Sequence, residues 1–476
     1  MSAALLLQRG SGFLLYVLIA RHLGILAFGQ FSLVYTFFLI FQIPAMFGLG
    51  NLLVREVAKN RRDYVRYLTN GHLIVTVSAL ASLVLWVLFV NLFGYTPEIV
   101  RSSYLLSLAL VPFAMSVVCE AIFKAFERMH FVVYAFAAAN LAKIGLVWYL
   151  LSHDHGLLDV IGLLVIIQVF MLMLEWFFIL RFFPVGRWTV DFKFSWKLAR
   201  SSATFLGMAI FTMLFMRLNI IILSKFRGEL EVGLYNAAFQ LTYAFMLVSL
   251  SLKDAVYPVL SRIYTTNLDR FRRYTERSIQ FLISLGLFLA VFLFFQASDI
   301  MTIYKEEFVA AVPVLKILAW LLIPLSFDRI FGGVLQASGH QRANLIILVI
   351  NAVNLLILSI VFIYLYGLIG AGVAFLVCHV TSFILHYAVI SKKIFRISVY
   401  KIIWKPALAG VVLVLFWLLV GDRHGFFILS GIGALLYVTI LFSLTVLFGN
   451  SLNRTYRWHT VERVKQLFHK ERSQPK

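Results

Sequence analysis

The sequence predicts an all-α polytopic membrane protein: about 14 transmembrane helices, in two six-helix lobes related by a parallel repeat, plus two C-terminal helices. Three observations carry this reading. Apolar blocks long enough to cross a bilayer recur along the chain. The hydrophilic gaps between them alternate between strongly basic and nearly uncharged. A weak internal repeat returns after 204–210 residues. Composition agrees: of 476 residues, 62% are hydrophobic and 13% charged, and the mean hydropathy is +0.93. Those values exclude the soluble classes.

A hydrocarbon core of about 30 Å needs about 20 apolar residues per helix. Blocks at 3–20, 31–50, 70–93, 102–122, 131–151, 157–180, 198–223, 232–252, 278–297, 309–333, 343–365, 369–390, 403–420 and 426–447 meet or approach that length. The first has neither a basic start nor a small-residue cleavage site, so it reads as a retained span. Cys119 and Cys378 fall inside blocks, which predicts free thiols packed in spans. An even number of spans puts both termini on one side. The gaps 55–67, 123–130, 181–197, 253–277, 336–342 and 391–402, with the tail, hold about 30 of the 42 Lys and Arg residues, and the opposite gaps about six. Both termini are therefore expected in the cytoplasm. The net charge of +21 follows from this bias and from anionic lipid headgroups; no nucleic-acid motif accompanies it. The basic tail 449–476 reads either as an amphipathic surface helix or as a solvated tail.

The repeat has three anchors. Phe28-Gly29-Gln30-Phe31-Ser32 resembles Val232-Gly233-Leu234-Tyr235-Asn236, an offset of 204. Glu120-Ala121-Ile122-Phe123 resembles Asp328-Arg329-Ile330-Phe331, and Met129-His130 resembles Gly339-His340, offsets of 208 and 210. A six-span unit begins and ends on the same side, so its copy inserts in the same sense, the plan of transporters with a site between two lobes. The expected divisions are 1–182, 183–397, 398–448 and the tail 449–476.

Ionisable residues inside spans mark pathways, because each costs at least about 2.5 kcal/mol at mid-depth. Five cations lie more than two residues inside a block: Arg9, Lys143, Arg217, Lys316 and Arg329. Glu120, Glu175 and Asp328 oppose them. Counted at 1.5 Å per residue, the cations form a ladder on which an anion finds a partner at each depth. Arg9, Lys316 and Arg329 also fit plain snorkelling. Lys143 and Arg217 lie too deep for that. Glu175, beside Trp176 near a span end, reads as interfacial, and Glu120 has Lys124 one turn away. The buried amides Asn140, Asn219, Asn351, Asn354 and Gln168 read first as helix–helix hydrogen bonders. Pro313 and Pro324 make the tenth span the candidate for a bent element. His153-Asp154-His155 reads as a solvated turn.

Ala20-Arg21-His22-Leu23-Gly24 with Phe28-Gly29-Gln30-Phe31-Ser32, then Leu53-Val54-Arg55-Glu56, then Val232-Gly233-Leu234-Tyr235-Asn236-Ala237-Ala238, resemble in order and spacing the polysaccharide flippase family. That family belongs to the multidrug/oligosaccharidyl-lipid/polysaccharide exporter superfamily. The resemblance implies a carrier of polyprenyl-diphosphate-linked oligosaccharide that moves its substrate from the cytoplasmic to the outer leaflet by alternating access. It implies no enzyme activity and no cofactor, membrane lipids as surroundings, and contacts with polysaccharide polymerase machinery. It adds Arg55, at the cytoplasmic mouth, to the candidate substrate-binding cations. This chain departs from the family in starting almost inside its first span. It departs again at Arg217-Leu218-Asn219, where many members carry an acid. Two rival functions remain open. An ion-coupled multidrug exporter needs early buried carboxylates, and the first three blocks hold none. A membrane glycosyltransferase or polymerase needs catalytic acids in a sizeable outward loop, and the outward gaps are short. No nucleotide-binding motif is present.

Overall fold

The computed structural model describes the chain except residues 1, 185, 187, 421–428 and 448–476, and except the side chains of 2–10, 204, 205, 208, 211, 212, 214, 244 and 247. The basic tail and the Arg9 side chain thus lie outside the described residues. Every long apolar block becomes helix, since lipid-facing backbone must bond within its own segment. The chain runs through α1 (Ser2–Met46), α2 (Leu49–Lys59), α3 (Tyr64–Leu92), α4 (Pro97–Ser107), α5 (Leu110–Ala125), α6 (Met129–Ser152) and α7 (Leu157–Phe182). It continues with α8 (Phe192–Tyr264), α9 (Leu268–Phe295), α10 (Ala297–Met301), α11 (Val312–Trp320), α12 (Leu322–Ala337), α13 (Gln341–Lys393) and α14 (Val399–Val420). A last apolar helix, α15, spans Leu429–Leu447.

Among the described residues, ten helices are long and apolar enough to cross a membrane, or eleven if one bent pair is a single span. The count is lower than the number of apolar blocks because three helices each run through two blocks. α1, α8 and α13 are interrupted by non-helical backbone at Gly24, Gly228 and Gly367. Gly24 and Gly228 share φ 81°, a left-handed value glycine takes without a Cβ penalty, and their ψ values are 179° and −172°. They are 204 residues apart, the offset of the first repeat anchor.

The later anchors need a new register. α5 and α12 are both 16 residues long. Their caps correspond at an offset of 212: Phe126 and Ser338 near φ −90°, then left-handed Glu127 (φ 62°) and Gly339 (φ 78°). Pro112 and Pro324 share this offset. The letter matches at 208 and 210 are therefore displaced by one helical turn and by two residues. Equal helix lengths, matching caps and a shared proline together outweigh short letter matches, which recur readily in apolar helices.

Two compact units emerge. The first comprises Met1–Tyr243, Ile300–Leu318 and Leu345–Thr381. In it, α1 packs on α3 and α6, α3 on α5, and α6 on α7. Its core is aromatic: Phe28, Phe31, Phe37 and Trp86 are fully buried, and Phe41 stacks on Trp86 at 5.7 Å. The second comprises Ala244–Asp299, Ala319–Asn344 and the described part of Ser382–Lys476. There α9 packs on α12 and α14, around Val291, Ala409, Leu413, Trp417, Leu429 and Tyr437. The span holding α11 and α12 is bent by 40° at Leu321. Pro324 lacks a donor, and its ring crowds the carbonyl four residues earlier, at Trp320. Cys119 and Cys378 are free and buried.

Candidate functional site

Lys143 lies on α6 with a half-buried side chain. Its Nζ donates to Asn140 Oδ1 at 2.7 Å, one turn away. The same oxygen accepts from Ser11 Oγ of α1 at 2.6 Å. Asn140 Nδ2 is spent on the Phe136 carbonyl. Among the described residues no carboxylate pairs with this ammonium. Asn140 therefore serves as a positioning group for the cation as well as a helix–helix link.

Arg217 is half-buried in the first part of α8. It too has no carboxylate partner among the described residues. Its charge acts on the hydroxyls of Tyr16, Tyr35 and Tyr235. Tyr16 stands five residues beyond Ser11, about 7.5 Å along α1. Its ring meets Phe28, Phe31 and Tyr35 edge-on at 5.6–6.2 Å. Asn219 donates to the Tyr235 hydroxyl at 3.0 Å and to the Ala371 carbonyl at 2.8 Å, joining helices as expected.

Beyond the tyrosines, toward the Gly24 and Gly228 breaks, the two anchor motifs touch. A Cβ on Gly29 would stand 1.9 Å from the Glu229 carbonyl oxygen, and one on Gly233 would stand 2.6 Å from that of Ile25. Asn236 Nδ2 donates to Ser32 Oγ at 2.7 Å. Glu229 accepts from Gln30 at 2.8 Å and from Thr96 at 2.6 Å. Lys225 sits 3.2 Å above the Tyr95 ring. Gly29 with Gly233, and Ser32 with Asn236, are pairs at the offset of 204, so matched residues meet each other.

The other predicted residues divide. Arg55 is exposed on α2 and bound to Glu56 at 2.8 Å. Lys316 is half-buried in the first unit, and Arg329 is half-buried in the second near Lys253. Glu120 pairs with Lys124 at 2.6 Å, one turn away as expected. Glu175 is fully buried within the protein. It faces α5, with Ser116, Cys119 and Glu120 nearby. Asp328 lies 3.8 Å from His386 Nδ1 in the second unit. His386 Nε2 meets Asn344 Oδ1 at 3.2 Å.

Sequence reasoning missed His386, His72, Glu229 and Lys405. His72 sits within α3 with its ring 5.1 Å from Trp176. The signal was present for the histidines, since an imidazole inside an apolar span is as unusual as a carboxylate. For Glu229, in a short gap between apolar blocks, only the packing reveals its contacts. His153-Asp154-His155 is the expected turn, with Asp154 left-handed at φ 59°. No cluster of metal-ligating side chains occurs among the described residues.

Residues 1–264 match the family model described as polysaccharide biosynthesis protein. Residues 203–365 match the MatE model. A curated relative, the probable low-salt glycan biosynthesis flippase Agl15 of Haloferax volcanii, is 28% identical over 239 residues, 48% of each chain. The chain thus spans about half the length of the curated relative it matches. Among solved structures, the lipid II flippase MurJ in an inward closed conformation aligns with TM-score 0.75 at 16% identity, covering 95% of this chain and 99% of that one. An inward-facing multidrug resistance MATE transporter aligns with TM-score 0.66 at 15% identity, covering 81% and 95%. At these identities the likeness is one of fold. The family match covers more than half of the sequence, and on it this chain belongs to the polysaccharide biosynthesis protein family.

Proposed function

We propose that this chain is a flippase. It carries a polyprenyl-diphosphate-linked oligosaccharide from the cytoplasmic to the outer leaflet of the cell membrane, with both termini in the cytoplasm. The observation that carries the reading is the pair Lys143 and Arg217, half-buried cations without carboxylate partners among the described residues. An ammonium resting on a neutral amide keeps its charge available to an incoming anion. A guanidinium offers a fork that fits phosphate oxygens. Tyr16 and Tyr35 add hydroxyls and ring faces near Arg217. The family membership and the name of the curated relative support the same substrate class.

The diphosphate binds these cations in the cytoplasm-facing state while the polyprenyl tail stays in lipid. The Gly29–Gly233 contact and the Glu229 hydrogen bonds act as the gate on the outer side. Transport requires that gate to open as the inner side closes. No bond is made or broken. An inside-negative potential favours outward movement of the anion by about 2.3 kcal/mol per charge per 100 mV.

Deleting the chain should leave lipid-linked oligosaccharide accumulating on the cytoplasmic leaflet with its synthesis intact. The MatE match at 203–365 favours a second reading, an ion-coupled multidrug exporter. Persistence of surface polysaccharide together with new drug sensitivity in the deletion strain would establish that reading instead.

A further inference from the structure

The second unit holds a cavity of about 630 Å³ between α9, α14 and α15. Its volume falls in the range of small-molecule sites. One end is basic. Arg273 and Arg277 lie in the first three turns of α9, and Lys401 and Lys405 in the first two of α14. Both helices begin at this end, so their N-terminal dipoles add to the positive potential. The one acid in the wall, Glu276, is bound to Arg272 at 2.9 Å. The other end is apolar, lined by Phe281, Leu285, Phe288, Val438 and Leu441. Within it the Tyr437 hydroxyl donates to the Ser284 carbonyl at 2.8 Å. From Arg273 to Phe288 is about 22 Å along α9, more than one leaflet's share of the hydrocarbon.

Orientation alone accounts for Arg277 and Lys401, which are exposed and reach water. It does not account for Lys405, which is only 2% exposed, on the cavity wall about 9 Å into its helix. Its ammonium is 5.5 Å from the centre of the Trp404 ring. No carboxylate pairs with it among the described residues. An ammonium held on the wall of an apolar groove favours a bound anion, and an anion continuous with an acyl chain matches both ends of this cavity.

We propose that this groove is a binding site for an anionic phospholipid of the inner leaflet. The headgroup phosphate sits among Lys405, Lys401, Arg273 and Arg277, and an acyl chain lies along Phe281, Leu285 and Phe288. The site uses none of the proposed transport cations and does not depend on the flippase reading.

Native mass spectrometry of the purified protein tests it, with titrated phosphatidylglycerol and phosphatidylcholine as probes. Phosphatidylglycerol adducts should persist at roughly tenfold lower lipid concentration than phosphatidylcholine adducts, the difference made by charge-assisted contacts. The double variant Lys405→Gln/Arg277→Gln should erase that preference. Lys401→Gln, at an exposed position that folding tolerates, should reduce it about threefold. Equal retention of the two lipids by the unaltered protein, or an unchanged preference in Lys401→Gln and the double variant, overturns the proposal. Displacement of phosphatidylglycerol by millimolar inorganic phosphate would assign the site to a free anion. Stronger binding of undecaprenyl phosphate at the same residues would assign it to a polyprenyl carrier. Either result also overturns it.

Discussion

Lys143 holds its ammonium on an amide oxygen 2.7 Å away rather than on a carboxylate. An acid there would neutralise the charge and leave an anion little to gain. Removing a charged hydrogen-bonding partner costs about 1.5–3 kcal/mol, which is roughly 10- to 100-fold in affinity. Lys143→Ala and Arg217→Ala should each slow transport of lipid-linked oligosaccharide into the outer leaflet of proteoliposomes by about that factor, at normal protein level. Lys143→Arg should retain most of the rate. Full activity in both alanine variants would remove these residues from the pathway. Glu175 offers the converse case, a fully buried carboxyl beside a second acid, Glu120. Gln has its shape and no charge to bury. Glu175→Gln should shift stability by less than about 1 kcal/mol in a thermal melt. Glu175→Lys puts an ammonium in the same place and should prevent accumulation of folded protein.

Close approach of backbones governs the element scale. Membrane helices lack a hydrophobic drive to associate, so contacts form where small residues let backbones meet. A Cβ at Gly29 would meet backbone, the Glu229 carbonyl at 1.9 Å, and no rotamer change relieves that. Gly29→Val should lower the unfolding midpoint in detergent by an amount equivalent to at least about 1–3 kcal/mol. Gly145 on α6 has nothing within 4 Å of its Cβ position. Gly145→Ala should leave stability unchanged or raise it by up to about 1 kcal/mol. A midpoint for Gly29→Val equal to that of the unaltered protein would show that the contact is not tight. The helices themselves were legible in the sequence, because apolar length is local information. The bend at Leu321 was legible too, since proline acts on its own preceding turn. The register of the later repeat anchors was not, because similar letters in apolar helices are cheap matches and caps are defined by backbone angles.

At the scale of the whole molecule, residues 204 positions apart meet face to face: Gly29 with Gly233, and Ser32 with Asn236. Contact between equivalent residues is what two like lobes related by a two-fold axis would produce. If this contact is the outer gate, fixing it must stop transport. With Cys119 and Cys378 replaced by Ser, the pair Ser32→Cys and Asn236→Cys should form a disulfide under mild oxidant. Flipping should fall to background and return on reduction. Unimpaired transport by the quantitatively cross-linked protein would exclude a gating role.

The sequence by itself determined the class of this protein. Block lengths, the bias of Lys and Arg between gaps, and ordered motifs are properties of neighbouring residues, and they suffice for a membrane protein of this family. They also named Lys143 and Arg217, since depth in a span follows from counting. Only the tertiary structure decided what surrounds each charge. It bound Arg55 to Glu56, sank Glu175 into the interior, set His386 beside Asp328, and left Lys405 facing an apolar groove. The physical reason is that the cost of a buried charge depends on its partners. For Glu175 and Asp328 those neighbours come from other helices, more than fifty residues away, through packing that no local pattern records.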